Sequence, residues 1–224
     1  MSSTQFTMDL VAPASTARTD FILGSCNALA ADWIDRWPDW PGRIKGLVLH
    51  GPDDCGKSHL AAIWAQHSGA KLLTSLDDGA IHQLDDHPHV IWDKPQPSAD
   101  WPDDLVFHFL NRLTELEGSV LILSRAPMST LNWALADVAS RLNGLSAAEI
   151  APPDDEVLIA VLHKLADDCG LALDPDVSRY IVNRIDRSFA VATRLIKELN
   201  RVTLAEHRKL TTPLVRDVLA QQGF

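Results

Sequence analysis

The run GLVLHGPDDCGKSHL, residues 46–60, constrains this chain more than any other stretch. Within it Gly51-Pro-Asp-Asp-Cys-Gly56-Lys57-Ser58 has the spacing G-x-x-x-x-G-K-[ST]. The apolar residues before Gly51 suit a buried strand, and SHLAAIWAQHSG (58–69) suits a helix closed by Gly69. A strand that turns through glycine into a helix start is built to hold phosphate. Backbone N–H groups and the helix N-terminus supply positive potential, and the lysine reaches the outer phosphates. Gly51, Pro52, Asp53, Asp54, Cys55, Gly56, Lys57, Ser58 and His59 are therefore the expected nucleotide-binding residues, with the Ser58 hydroxyl on Mg2+. Asp53 and Asp54 weaken anion affinity by like charge without abolishing it, because backbone amides do the holding. Cys55 reads as a small filler, a redox switch beside the phosphates being the alternative.

Other segments alternate in type. NALAADWIDRW (27–37) has helical spacing with Asn27 as its cap; AKLLTSL (70–76), HVIWD (89–93) and SVLILS (119–124) read as strands; DDLVFHFLNRLTELEG (103–118) reads as an amphipathic helix. Alternation of this kind implies a parallel sheet covered by helices. After IAPPDDE (150–156) only helical patterns remain, each opening near a proline or acidic cap. The expected organisation is an arm over 1–19, flexible and rich in Ser, Thr and Ala, an α/β nucleotide-binding domain over 20–150, and a small all-helical lid over 151–224. Asp93, at the end of a strand, suits a metal ligand. The next residue is Lys94, where many such ATPases carry a second acid, so intrinsic turnover is expected to be slow or absent.

The net charge of −10 argues against electrostatic capture of nucleic acid. Three cysteines without paired metal-ligand spacing fit a reducing cytosol. No apolar run approaches the roughly 20 residues that span a bilayer, and the N-terminus lacks the order of a secretion signal. A cytoplasmic protein is expected.

The strand–loop–helix with GKSHL, the strand-end Asp93, LILSRAP (121–127), ADVASRL (136–142) and the PPDDE start of the lid together resemble the DnaA branch of the AAA+ ATPases. The resemblance runs from about Asp20 to the C-terminus and is strongest to the Hda family of DnaA-inactivating regulators. It implies a P-loop core with a helical lid, binding ADP or ATP with Mg2+, ADP being the favoured ligand. In ADVASRL it implies that Arg141 is an arginine finger, acting in trans on a neighbour's γ-phosphate. It places the first sensor near Ser124 and the second at Ala190, where an arginine is normal; Arg194, one turn further along that helix face, is the candidate replacement. The segment DFILGSCNALA (20–30) resembles the family's lead-in to the adenine site. QFTMDL (5–10) resembles a sliding-clamp-binding peptide, with Gln5, Met8 and Leu10 as its anchors. DnaA initiators carry a DNA-reading domain after the lid; here the chain ends at Phe224, so no direct sequence-specific DNA binding is expected. The partners implied are DnaA and the sliding clamp, and self-association through Arg141 stays open. Two other readings compete: a stand-alone ATPase resembling helicase loaders, and a nucleotide-gated adaptor that does not stimulate hydrolysis.

Overall fold

The computed structural model describes residue 18, residues 21–206 and residues 208–222. Gln5, Met8 and Leu10 lie outside the described residues, as does the rest of the arm except Arg18. Arg18 forms a forked ion pair with Asp35, with Nη2 2.7 Å from Oδ2 and Nε 3.0 Å from Oδ1.

In chain order the described elements are α1 (Ala28–Asp35), β1 (Lys45–His50), α2 (Lys57–Ser68), β2 (Lys71–Leu73), α3 (Asp78–Gln83), β3 (His89–Asp93), α4 (Asp103–Glu115) and β4 (Ser119–Ser124). A 3-10 turn at Met128–Thr130 leads to α5 (Ala136–Asn143) and β5 (Ser146–Glu149). Then α6 (Asp155–Asp168), α7 (Pro175–Val182), α8 (Phe189–Glu206) and α9 (Thr212–Gln222) follow, with no strand between them among the described residues. The strands form one sheet in the order β2-β3-β4-β1-β5, all pairs parallel.

Parallel strands covered on both faces must be apolar on both faces, and the strand residues divide accordingly. Leu47, Leu49, Ile91, Leu121 and Leu123 pack with Trp40 and with Leu60, Ile63 and Trp64 of α2. Their strand neighbours Val48, Val90, Trp92, Val120 and Ile122 pack with Val106, Phe109, Leu110 and Leu113 of α4. Trp92 is fully buried there, stacked on Trp101 with ring centroids 4.5 Å apart. The spacing of the four α4 residues is the stripe of an amphipathic helix, and Asp103 and Asp104 in its first turn complement its dipole. A third cluster, including Leu158, Leu162, Ile181, Leu195, Leu199 and Val215, is the core of the four C-terminal helices.

Several expectations shift. β2 spans only Lys71–Leu73 of the expected 70–76, and α4 ends at Glu115 rather than Gly118. Asn27 precedes α1 but makes no side-chain cap bond. Instead it is 1% exposed and braces the preceding turn: its Nδ2 donates to Ile22 O at 3.0 Å and its Oδ1 accepts from Gly24 N at 3.0 Å. A buried amide must satisfy its polar atoms, and the carbonyl and amide of the turn lie within its reach. Among the described residues no helix is long and apolar enough to cross a membrane.

Candidate functional site

The sheet order determines what meets the loop after β1. The register sets His50 beside Ser124 and Leu49 beside Leu123, and Asp93 beside Leu123 in turn. The loop over 51–56, the turn after β4 and the end of β3 therefore share one edge of the sheet. Gly51 N donates to Ser124 O at 3.2 Å, tying the loop to β4, and Lys94 N donates to Leu123 O at 2.8 Å, tying the end of β3 to it as well.

The loop suits its motif. Gly51 has φ +154°, and a β-carbon there would stand 2.1 Å from Ile150 O, which only glycine avoids. Asp54 and Gly56 are also at positive φ (58° and 104°), so the chain curls to deliver the first amides of α2 toward its mouth. Lys57 Nζ is turned over the loop, donating to Gly51 O at 2.8 Å and Pro52 O at 2.6 Å, with Cys55 Sγ at 3.6 Å. Ser58 is exposed and His59 half-buried, the latter edge-on to Phe21 at 5.3 Å. Burial pushes the Cys55 thiol up, which keeps it protonated and a poor nucleophile. A curled glycine loop, a helix start and a flexible ammonium fit a nucleoside di- or triphosphate, and Ser58 and Asp93 are the residues that could hold a metal beside it.

The other end of the site is built from the lead-in segment and the four C-terminal helices. A β-carbon at Gly56 would lie 3.4 Å from the Phe189 ring and 3.9 Å from that of Phe21, and Phe189 N donates to Asp54 O at 3.3 Å. A groove of about 230 Å³ opens between Ile22–Ser25 and the start of α6, lined by Asp154, Glu156, Val157 and Ala160. Asp154 caps α6 by accepting from Val157 N at 2.9 Å and takes the Ser25 hydroxyl at 3.1 Å; both bonds hold its carboxyl below the usual range. Gly24 permits this approach, since a β-carbon would fall 2.0 Å from Val157 Cγ2. Gly24→Ala is expected to destabilise the protein by about 1–3 kcal/mol. Thermal denaturation checks it; an unchanged midpoint would show that α6 does not need this contact.

Arg141 lies elsewhere. β5 starts level with Leu47, at mid-β1, and α5 precedes it, so Arg141 belongs to the side of the core away from its own loop. Its guanidinium is held in a three-sided cradle. Nη1 donates to Asn111 Oδ1 at 2.6 Å, Nε pairs with Asp137 Oδ2 at 2.6 Å, and the cation stands 4.8 Å from the Phe107 ring centroid. About 29% of the side chain remains exposed. Ser124, near the expected first sensor, closes on its own turn: its Oγ donates to Ala126 O at 2.6 Å. Ala190 is exposed in the first turn of α8, and Arg194 is exposed one turn beyond the end that meets the loop.

Sequence reasoning missed Arg125. It follows β4 directly and forms a forked ion pair with Asp53 of the loop, Nε to Oδ1 at 2.9 Å and Nη2 to Oδ2. The two residues are 72 positions apart, and no local spacing signals the pair.

A loop with the phosphate-binding motif after the β1 strand of a β2-β3-β4-β1-β5 parallel sheet, followed by a helical bundle that touches the loop, is the architecture of a P-loop fold of the AAA+ type. Residues 154–219 match the family described as "Hda, lid domain". The fold is similar to domain III of the replication initiator DnaA from Thermotoga maritima, with TM-score 0.76 and 15% identity over 93% of this chain and 97% of that one. It is also similar to AMPPCP-bound DnaA from Aquifex aeolicus, with TM-score 0.60 and 19% identity over 79% of this chain and 63% of that one. The RuvB Holliday junction branch migration motor of Thermotoga maritima has TM-score 0.62 and 14% identity over 78% of this chain and 61% of that one. Residues 154–219 thus carry a lid of the Hda type, and the chain as a whole shares its fold with DnaA domain III.

Proposed function

We propose that this chain is a nucleotide-bound AAA+ regulator, ADP being its favoured ligand, that stimulates ATP hydrolysis by DnaA and so prevents reinitiation of replication. Nucleotide sits on residues 51–59 with Mg2+ at Ser58 and Asp93, and Arg194 approaches it from the lid. Arg141 acts in trans, its guanidinium entering the partner's site and stabilising charge on the transferring phosphoryl group. The observation that carries this reading is the cradle around Arg141. A partly exposed guanidinium, pre-oriented by Asn111, Asp137 and Phe107 on a face away from its own loop, is suited to serve another subunit's phosphates. A second copy of this chain docking the same way would receive Arg141 in turn, so self-association uses the same surface.

The test is ATP turnover by the cognate DnaA in the presence of this protein and clamp loaded on DNA, with wild type set against Arg141→Ala. Stimulation that the variant loses supports the reading, whereas stimulation that the variant retains overturns the role of Arg141.

The arm supplies the clamp contact, Met8 and Leu10 entering an apolar pocket while Gln5 bonds its rim. Deleting residues 1–10 is expected to abolish capture on immobilised clamp while leaving nucleotide binding unchanged. Clamp capture by the truncated chain would refute that assignment.

The adaptor reading also draws on the cradle, because an arginine bonded to Asn111 and Asp137 could serve α4–α5 packing alone. It predicts that Arg141→Ala keeps partner recruitment and that no hydrolysis is stimulated by either form.

A further inference from the structure

The two ends of the loop region differ in chemistry. The aromatic rings of Phe21 and Phe189 lie at the lid end, near Gly56. The opposite end, beside the tips of β3 and β4, holds Lys94 and Arg125 with Asp93. Since those rings suit a base, the charged end is where the outermost phosphate of a bound nucleotide would lie. That end already contains an anion, the Asp53 carboxylate, the third residue of the loop motif. Arg125 is forked onto it, and the charges of Lys57 and Lys94 also bear on it, so that together they hold its pKa below the ordinary carboxylate range. The remaining carboxylate of the loop, Asp54, is at positive φ and gives its carbonyl to Phe189, toward the lid.

We propose that Asp53 and Arg125 set the preference of this site between nucleoside diphosphate and triphosphate, with Asp53 occupying the guanidinium that a third phosphate would need. This rests on the reading of residues 51–58 as a nucleotide site. A diphosphate leaves the Asp53–Arg125 pair intact. A triphosphate brings at least one further negative charge to the same place, and must either stand against Asp53 or draw Arg125 away from it. Both side chains are partly exposed, 69% for Arg125 and 49% for Asp53, so the pair can open without disturbing the core. Its strength is modest and screened by salt, which suits a bias rather than a lock.

The experiment is a set of calorimetric titrations of the full chain with Mg-ADP and Mg-ATP, comparing wild type, Asp53→Asn, Arg125→Ala and the double variant. The quantity read is the ratio Kd(ATP)/Kd(ADP). Asp53→Asn is expected to lower this ratio roughly fivefold, by freeing Arg125 for the third phosphate and removing a like charge beside it. Arg125→Ala, which leaves Asp53 uncompensated, is expected to raise it. In the double variant the ratio returns toward that of wild type, because the gain from Asp53→Asn depends on Arg125. Raising the salt concentration compresses all these differences. A ratio unchanged in Asp53→Asn, with both nucleotides still bound, would overturn the proposal and leave nucleotide binding standing. Failure of wild type to bind either nucleotide would instead overturn the reading on which it rests. Thermal melts of the variants, expected within a few degrees of wild type for exposed substitutions, separate loss of binding from loss of fold.

Discussion

Under the proposed function, Arg141→Ala is expected to lower the stimulated ATP hydrolysis by DnaA by about 10³-fold or more, the scale on which a trans arginine acts in phosphoryl transfer. The expected effect is large because a guanidinium in that role works on charge that develops only in the transition state. Substituting its supports gives smaller steps. Asn111→Ala removes one charge-assisted hydrogen bond and is expected to cost about tenfold in stimulated turnover. Phe107→Ala removes the ring under the cation and is expected to cost less than that. Binding of this protein to DnaA should be nearly unchanged in Arg141→Lys while stimulation falls, because a lysine keeps the charge but not the planar fork. Single-turnover hydrolysis with radiolabelled ATP on DnaA separates these cases. If Asn111→Ala matches wild type while Arg141→Ala is inactive, the finger stands and the cradle is incidental to it.

The second large effect concerns the loop. Lys57→Ala is expected to weaken Mg-ADP and Mg-ATP binding by about 100-fold, since it removes a charge partner of the phosphates from a partly enclosed site. In the structure Lys57 Nζ already faces inward, bonded to Gly51 O and Pro52 O. The ammonium therefore needs only to exchange carbonyls for phosphate oxygens, without swinging in from solvent. Fluorescence titration with a labelled nucleotide measures the loss. Affinity within a few-fold of wild type would show that backbone amides alone carry the binding. Comparing Lys57→Ala with Arg141→Ala also orders the two functions. Loss of stimulation in both would show that bound nucleotide is needed to present the finger, and loss only in Arg141→Ala would show that it is not.

Local chemistry explains which parts of the site were legible in the sequence. The loop announces itself because its residues are contiguous, and each has a backbone reason to be there: glycine at φ +154°, glycine at the helix start, lysine in the first turn. The sheet class was legible because strands buried on both faces are continuously apolar, as in LVL and VLIL. The edge strand β5 was not. Its sequence is SAAE and only Ala148 is fully buried, so it has neither an apolar run nor a β-branched residue to mark it. The helix α3 was missed for a like reason: six residues with none buried carry no period, and only its Asp77 cap, accepting from Ala80 N at 2.7 Å, signals it. Asn27 shows the opposite failure, a residue suited to capping whose side chain was claimed by a turn five residues earlier.

What the sequence by itself determined was the phosphate-loop motif, the parallel α/β class and the helical character of the C-terminal third. These follow from interactions within a few residues along the chain, where spacing and geometry are the same thing. Only the tertiary structure decided the order β2-β3-β4-β1-β5, and with it that the end of β4 lies between the loop and Asp93. It alone brought Arg125 onto Asp53 and set Arg141 among Asn111, Asp137 and Phe107, away from its own loop. Those are meetings of residues from separate elements. They depend on how crossover helices return each strand to the sheet, and no periodicity along the chain encodes that.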